Sequence, residues 1–596
     1  MKKLPALLVL GALAFGAQAL AMTPSDPLYP LQWHYPKISL PSAWDITRGS
    51  WTTRIAVLDS GRTPHVDLDE RWSTLEYNAI VLGQTPTDTS SWRHGTFVAG
   101  IIGAAANDKG GVGVCPNCQL LNVKVHNTIT KITFDSIARG VRWAVDNGAR
   151  VINMSFEVEG ACSQLGAETM RAEIERAVNN GVVVVAAAGN NAVNVANVTP
   201  ASCPGVIAVA ATDKYDNLAA YSSRGTSIGV SAPGGASVYG DRVNISPLCP
   251  DDPVSYFTPG DTSGVVSTWR TSPSGGSLAC YRYLGGTSMA APHVSGVAGL
   301  MLTVNPWLRP DQVQSILRTT ATPLPNCGSD CGPGLLNAYS AVSAARSRST
   351  GPCSANPTPS TLNCRVDGLG QYVNASGTLV ESVFAYGYLW QFNGNGSPLG
   401  VARNLRGIPR YANGPCVYAP VGQPCVIDSV TTLDYPGFGY VESLTAYGRA
   451  WNLDSNGNEM SGGPLVLSSV PRYAYGPCAY ASSPATCRFD TRSLINLPEW
   501  GGLFESVTAY GRYWTFDGGG TLLESNLLTN VARYASGPCA WRPSGQICTF
   551  DSRELRRLPD GSQLETVTAY GRYFEWLNGA STANNGLALT SIPRMR

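Results

Sequence analysis

Lysine is scarce in this chain. Seven of its 42 basic residues are lysines, and none follows Lys214. Charge of either sign is also in short supply as a net quantity: 41 acids stand against 42 bases, for a formal net charge of +1. That balance leaves no electrostatic footprint for nucleic acid or for a strongly acidic partner. Long apolar runs are equally rare. The one candidate, Leu4 to Phe15, is broken by Pro5 and Gly11 and is too short to span a bilayer. It follows Met1-Lys2-Lys3 and precedes the small-residue patterns Ala17-Gln18-Ala19 and Ala19-Leu20-Ala21, so 1–21 reads as a secretory signal peptide. No later segment reaches a membrane-spanning length. The expectation is an exported mature protein without a membrane span, extracellular or periplasmic.

Cysteine is plentiful by contrast. Sixteen, an even number, fit an oxidising compartment and disulfide pairing. At 596 residues the chain should hold more than one domain, and its composition changes after Arg346.

Three strings carry chemistry. Arg54-Ile-Ala-Val-Leu-Asp59-Ser60-Gly61 is a short apolar run that stops at an acid, as a buried strand does at the carboxyl edge of an α/β sheet. His94-Gly-Thr-Phe-Val-Ala-Gly-Ile-Ile-Gly103 places a histidine at the head of a helix rich in small and apolar residues. Gly286-Thr-Ser288-Met-Ala-Ala-Pro-His-Val-Ser-Gly296 places a serine at the start of a buried helix, where unpaired N–H groups and the helix dipole favour negative charge. Each string alone has a plainer reading: a strand-ending turn, a structural histidine, a serine N-cap. Together they stand in the order Asp, His, Ser. A serine hydroxyl is too weak an acid to attack a carbonyl unaided. An imidazole can take its proton near neutral pH, and a carboxylate can orient that imidazole.

All three strings resemble the motifs of the subtilisin-like serine proteases, the subtilases, and the resemblance covers roughly residues 30–346. It implies a three-layer α/β catalytic domain with a mostly parallel sheet, and catalytic roles for Asp59, His94 and Ser288. Val182 to Asn190 resembles the oxyanion segment, so Asn190 and the backbone N–H of Ser288 are the expected donors to the oxyanion. Asn153 to Val158 corresponds to the substrate-binding edge, with Ser155, Phe156 and Glu157 as candidates. Where many relatives carry Ser-Leu-Gly-Gly, this chain carries Ser-Phe-Glu-Val, and the glutamate either favours cationic substrate residues or points to solvent. Asn107-Asp-Lys-Gly-Gly-Val-Gly113 resembles a calcium-wrapping loop. Matching by position adds Gln32 and Asp67 to Asn107 as ligands of a structural calcium ion, against the plainer reading of an Asn-Asp-Gly turn. The polar, irregular stretch 22–50 leaves no room for the inhibitory pro-domain usual in the family.

Strand and helix patterns alternate between the motifs. Gln119–Val125 and Ala149–Ser155 read as strands, Phe134–Asn147 and Glu168–Asn180 as amphipathic helices, and Gly148 and Gly181 as helix stops. An insertion near 237–283, rich in Ser, Gly, Pro and Thr, reads as a surface excursion stapled by Cys249 and Cys280. Further pairs expected in 22–346 are Cys162 with Cys203, Cys327 with Cys331 and Cys115 with Cys118, the last open to a redox dithiol reading.

Residues 347–596 hold four repeats. Gly-Pro-Cys recurs with cysteines at 353, 416, 478 and 539, spaced 61 to 63 residues apart. A second cysteine follows each, at Cys364, Cys425, Cys487 and Cys548, which favours pairing within each repeat: Cys353, Cys416, Cys478 and Cys539 with their successors. Ala-Tyr-Gly then appears with Tyr386, Tyr447, Tyr510 and Tyr570, followed four positions later by Trp390, Trp451, Trp514 and Phe574. Aromatic and β-branched runs with Gly-rich turns indicate an all-β domain, as propeller blades or another array. The repeated tyrosines either pack between units or form an exposed aromatic surface that grips polysaccharide or protein. The sequence thus reads as a secreted serine endopeptidase acting on proteins or peptides. A catalytically silent, repeat-bearing binding protein and an esterase or acyl transferase on the same three residues are the alternatives.

Overall fold

The computed structural model describes residues 23–90, 93–127, 132–237, 263–270, 279–356 and 364–595, apart from short gaps at 375, 436–438, 455, 461–462, 484–485, 498–501, 559 and 593. The expected signal peptide lies outside the described residues, as do Cys249 and most of the insertion.

The first domain is built on a seven-stranded sheet. Its strands are β1 (Arg54–Asp59), β2 (Trp72–Asn78), β3 (Gln119–Lys124), β4 (Val151–Met154), β5 (Val183–Ala187), β6 (Val206–Thr212) and β7 (Val230–Pro233), in the order β2-β3-β1-β4-β5-β6-β7. Every pairing is parallel. The inner strands are buried on both faces, which is why they read as apolar runs rather than alternations, while the edge strand β2 is partly exposed. Ile55 and Val57 enter one core, and Ala56 and Leu58 the other.

Helices cover both faces. On the first side lie α1 (His94–Gly103), α4 (Thr287–Val304), α5 (Pro310–Thr320) and α6 (Ala338–Ser347); on the second lie α2 (Phe134–Asp146) and α3 (Glu168–Asn179). The two amphipathic helices end within a residue of the expected bounds. Gly148 and Gly181 follow with φ of 75° and 82°, the left-handed conformation of a helix stop.

Two expectations need correction. The stretch 22–50 is not irregular throughout. It makes short helical turns at Tyr29–Leu31, His34–Lys37 and Leu40–Trp44 and buries Tyr35, Ile38 and Trp44 in the main core. The described part of the insertion is not a surface excursion. Strands β8 (Val265–Arg270) and β9 (Ala279–Leu284) pair antiparallel, and the ribbon lies buried on α1. Ser267 Oγ and Thr268 Oγ1 donate to the Phe97 and Thr96 carbonyls at 2.8 Å. A Cβ at Gly100 would come within 2.3 Å of both hydroxyl oxygens, so the ribbon can approach α1 only because that position is glycine. Composition read the segment as a loop because the polar residues that face α1 look the same as residues that face water.

Disulfides join Cys115–Cys118, Cys162–Cys203 and Cys327–Cys331, and one pair within each repeat: Cys353–Cys364, Cys416–Cys425, Cys478–Cys487 and Cys539–Cys548. Cys280 is also disulfide-bonded.

Each repeat folds into an antiparallel sheet whose first three strands are consecutive hairpins. The first strands, Gly368–Val373, Ser429–Tyr435, Thr491–Leu497 and Ser552–Arg557, pack on one another in turn, and the last returns to the first. Thr432 Oγ1 donates to the Gln371 carbonyl at 2.6 Å, and Ser493 Oγ to the Arg553 carbonyl at 2.8 Å. The result is a closed ring of four blades.

Ala-Tyr-Gly forms the tight turn of each blade. Tyr386, Tyr447, Tyr510 and Tyr570 have φ of 48° to 51° and the glycines after them 71° to 80°, as a two-residue type I′ hairpin demands. Each tyrosine hydroxyl accepts a backbone N–H near its own repeat's second cysteine, from Arg365, Val426, Arg488 and Thr549 at 2.7 to 3.1 Å. These tyrosines therefore tie each blade to itself, and Tyr447 also meets the next repeat, with the Arg488 guanidinium 5.9 Å from its ring centre. Trp390, Trp451, Trp514 and Phe574 do pack in the blade cores.

Seams between blades reuse one device. Tyr411 donates to Glu442 at 2.5 Å, Tyr473 donates to Glu505, and Tyr534 to Glu565. The fourth seam is closed by the last residues: Arg594 pairs with Glu381 at 2.8 Å, and the Met595 carbonyl accepts from Cys353 N at 2.8 Å. Leu589, Ile592 and Met595 are buried there. Losing even one such side chain costs about 2–5 kcal/mol. Deleting 589–596 should lower the melting temperature of the repeat domain in calorimetry and leave the transition of the first domain in place. An unchanged repeat transition would show that the ring closes without this segment.

Candidate active site

The parallel register brings the candidate residues to one edge. Asp59 is opposite Lys124 and Leu58 opposite Met154, so the ends of β1 and β4 are level, and Ser155 follows β4 directly. The 188–190 turn follows β5, the next strand over. Helix α4 enters the same edge after Gly285-Gly286, with Ser288 in its first turn. Helix α1 delivers His94 from above.

His94 Nδ1 lies 2.9 and 3.0 Å from the two oxygens of Asp59. Asp59 is 1% exposed and also accepts the Ser60 N–H at 2.7 Å. Burial opposes the imidazolium, but the Asp59 charge and hydrogen bond outweigh it and hold the His94 pKa above its ordinary value. Burial likewise opposes the carboxylate, and the charge and hydrogen bond of His94 outweigh it, so the Asp59 pKa is lowered. Nε2 of His94 makes no hydrogen bond among the described residues, which leaves it for a reacting proton.

Ser288 Oγ donates to the Ser155 carbonyl at 2.9 Å, and Ser155 Oγ donates back to the Ser288 carbonyl at 2.9 Å. Asn190 Oδ1 accepts from Thr287 N at 2.9 Å and Thr287 Oγ1 at 3.0 Å. That fixes the amide and frees its Nδ2 to donate. The Ser288 N–H has no partner among the described residues either, so two donors stand beside the serine.

The three candidates for the substrate edge separate. Ser155 is fully buried and braces Ser288. Phe156 is 2% exposed and belongs to the second core, with its ring edge-on to His126, so it does not face a substrate. Glu157 alone reaches the open side of the site, where both its oxygens accept Asn190 N at 3.1 Å.

Residues absent from the sequence reading also matter. His126 Nε2 lies 3.8 Å from Asp59, and neither ring nitrogen has a hydrogen-bond partner among the described residues. Burial lowers its pKa to about 4, so it stays neutral and does not compete with His94 for the Asp59 charge. The signal was a polar residue ending the apolar run of β3. Behind Asp59, Ser60 Oγ donates to Asp88 at 2.7 Å and accepts the Gly95 N–H at 3.0 Å.

At the other end of α1 the structure brings Asp67 and Asn107 together with Asp26, which sequence matching did not single out. Asp67 Oδ2 accepts from Tyr281 OH at 2.6 Å and Gly111 N at 3.3 Å; Asp26 Oδ1 accepts from Asn107 N at 3.1 Å. Asp67 Oδ1 and Asp26 Oδ2 are buried without a partner among the described residues. Burial, with the Asp26 charge adding to it, pushes Asp67 up to about 7. Unmatched carboxylate oxygens suit a calcium ion, while the Gly110 and Val112 carbonyls of the loop are already taken by Leu28 N–H and by Gln32 and Tyr35. Gln32 differs from the expectation. Its amide is spent on Val112, donating to the carbonyl at 2.8 Å and accepting the N–H at 3.1 Å, so it braces the loop and offers no ligand.

A carboxylate-backed imidazole, a helix-start serine and two free donors make up the parts of a serine hydrolase. Comparison with known proteins agrees and is more particular. Residues 51–343 match the sequence model of the Subtilase family. The chain is 33% identical to thermitase of Thermoactinomyces vulgaris, over 54% of this chain and 99% of that protein. It is 35% identical to subtilisin DY of Bacillus licheniformis, over 48% of this chain and 90% of that protein. It is 34% identical to an extracellular protease of Xanthomonas campestris pv. campestris over 54% of this chain, and spans 57% of that longer protein. The chain belongs to the subtilase family of serine proteases.

Proton transfer in such a site needs His94 neutral. Because its pKa is held above the ordinary 6.5, protonation removes activity as pH falls through a midpoint on the alkaline side of 6.5. A pH profile of kcat/KM on a peptide substrate checks this, and a midpoint below 6.5 would contradict the Asp59 effect.

Proposed function

We propose that the protein is a secreted serine endopeptidase that hydrolyses peptide bonds through an acyl-enzyme on Ser288. The observation that carries the reading is the pair of short contacts between His94 Nδ1 and Asp59. Asp59 holds the ring in the tautomer that leaves Nε2 unprotonated. His94 takes the Ser288 hydroxyl proton as Oγ attacks the substrate carbonyl, and passes it to the leaving amine. The oxyanion is met by the Ser288 N–H and Asn190 Nδ2. Loss of such a side-chain donor in a subtilisin costs roughly 10²–10³ in turnover, which sets the scale for Asn190. Water activated by His94 then releases the acyl group. Export is supported by the signal-like 1–21 segment and by seven disulfides among the described residues.

A structural calcium ion belongs to the same reading. Asp26, Asp67 and Asn107 would hold it. The ion supplies positive charge to two buried carboxylates and takes no part in the chemistry. The repeats serve as a docking appendage for protein or polysaccharide. Tyr418, Tyr480 and Trp541 support this: they occupy one position in repeats two to four, are exposed, and each lies against an arginine.

A fluorophosphonate should label the wild-type protein on Ser288 and leave Ser288→Ala unlabelled and without peptidase activity. A wild-type protein that resists the label would overturn the nucleophile. For the inhibited enzyme, calcium should raise the melting temperature over chelator by mass action on the folded state, and Asp67→Asn should shrink that rise. Equal melting temperatures in the two solutions would remove the ion from the reading.

A further inference from the structure

We infer that Glu157 selects a lysine or arginine side chain in the substrate residue that supplies the scissile carbonyl. The inference rests on Ser288 and Asn190 acting as nucleophile and oxyanion donor. Glu157 leaves the carboxyl end of β4 and reaches across to the turn after β5, where both of its oxygens lie 3.1 Å from Asn190 N. The approach is close: a Cβ on Gly189 would lie 2.0 Å from Glu157 Oε2, so the carboxylate occupies space that any other residue at 189 would fill. The side chain thus bridges the two backbone segments that carry Ser155 and Asn190, the residues that hold Ser288 and Thr287 on either side of the site.

The charge there is uncompensated. One N–H is the only hydrogen bond to Glu157, and no cation lies within ion-pair distance among the described residues. Burial raises its pKa and the neighbouring Glu159 charge adds to that, while the Asn190 N–H only partly offsets them. A half-buried carboxylate without a counter-ion is costly. It also stands against the very residue whose Nδ2 meets the oxyanion, and a negative charge at that distance opposes a second one developing beside it. A substrate ammonium or guanidinium settled on Glu157 removes both penalties. Because the second penalty arises only as the oxyanion forms, the selectivity should appear in kcat as well as in KM. A lysine or arginine carries its charge at the end of a long side chain, and an alanine carries none.

The test uses full-length protein and a peptide series that differs only at the residue before the cleaved bond: Arg, Lys, Leu, Ala and Glu. Active enzyme is counted by fluorophosphonate labelling in every sample. The wild type should favour Arg and Lys over Leu and Ala in kcat/KM by roughly tenfold or more, the ratio expected for one charge-assisted hydrogen bond. Glu157→Gln should collapse that ratio, and Glu157→Arg should move it towards the Glu peptide. A wild-type measurement stands beside the variants: a peptide aldehyde ending in arginine should inhibit more tightly than one ending in leucine by a similar factor. Labelled wild-type enzyme that treats the five peptides alike, or prefers Ala or Leu, overturns the inference and leaves the protease reading intact. So does a ratio that survives in Glu157→Gln. Labelled enzyme that cleaves no peptide overturns the endopeptidase reading and this inference with it.

Discussion

Asp59 ends a strand in the middle of the sheet, beneath α1 and almost out of contact with water. An isolated carboxylate cannot be left charged in such a place, and the surroundings are arranged around that demand. His94 takes both oxygens, Ser60 N supports one of them, and the Ser60 hydroxyl hands its own bond on to Asp88. His126 stays neutral nearby, adding bulk without charge. The basicity of His94 is the other side of the same interaction: the field that makes the carboxylate tolerable is the field that makes the imidazole a better proton acceptor.

That pair is useful only if α1 does not shift. One side of α1 rests on the main core, and its other side carries the β8–β9 ribbon, seated at Gly100. The same ribbon contributes Tyr281, which holds Asp67 in the loop below α1, and its Cys280 carbonyl meets His65 at 3.1 Å. Met289, next to Ser288, packs into the cluster between ribbon and α1. The described part of the insertion therefore connects the His94 helix, the Ser288 helix and the carboxylate-lined loop through one buried patch.

Much of the first domain was legible in the sequence because its information is local. Asp59, His94 and Ser288 each sit in a string whose neighbours must be small or apolar for the backbone to pack as it does. Helix and strand bounds followed from periodicity and from Gly148 and Gly181. What was not legible depends on residues far apart in the chain. Asp26 becomes a partner of Asp67 only when the N-terminal segment lies on the 107–111 loop, with Leu28 N bonded to the Gly110 carbonyl at 2.7 Å. His126 meets Asp59 because β1 and β3 are neighbours. The ribbon was misread because serine and threonine can serve a helix backbone as well as they serve solvent. In the repeats, the periodic tyrosines suggested a surface or a seam. Their backbone conformation, which the residue name alone does not disclose, made them turn residues.

The ring of blades is closed by chain segments about 240 positions apart, Cys353 and Met595. Every other seam joins consecutive repeats. Assembly is therefore unequal: three seams join neighbouring stretches of chain, and the fourth needs residues 589–595 and bears the loop-closure entropy of the whole domain. Without those residues the first blade shows an open flank. A chain clipped before residue 589 would expose that flank to other strands.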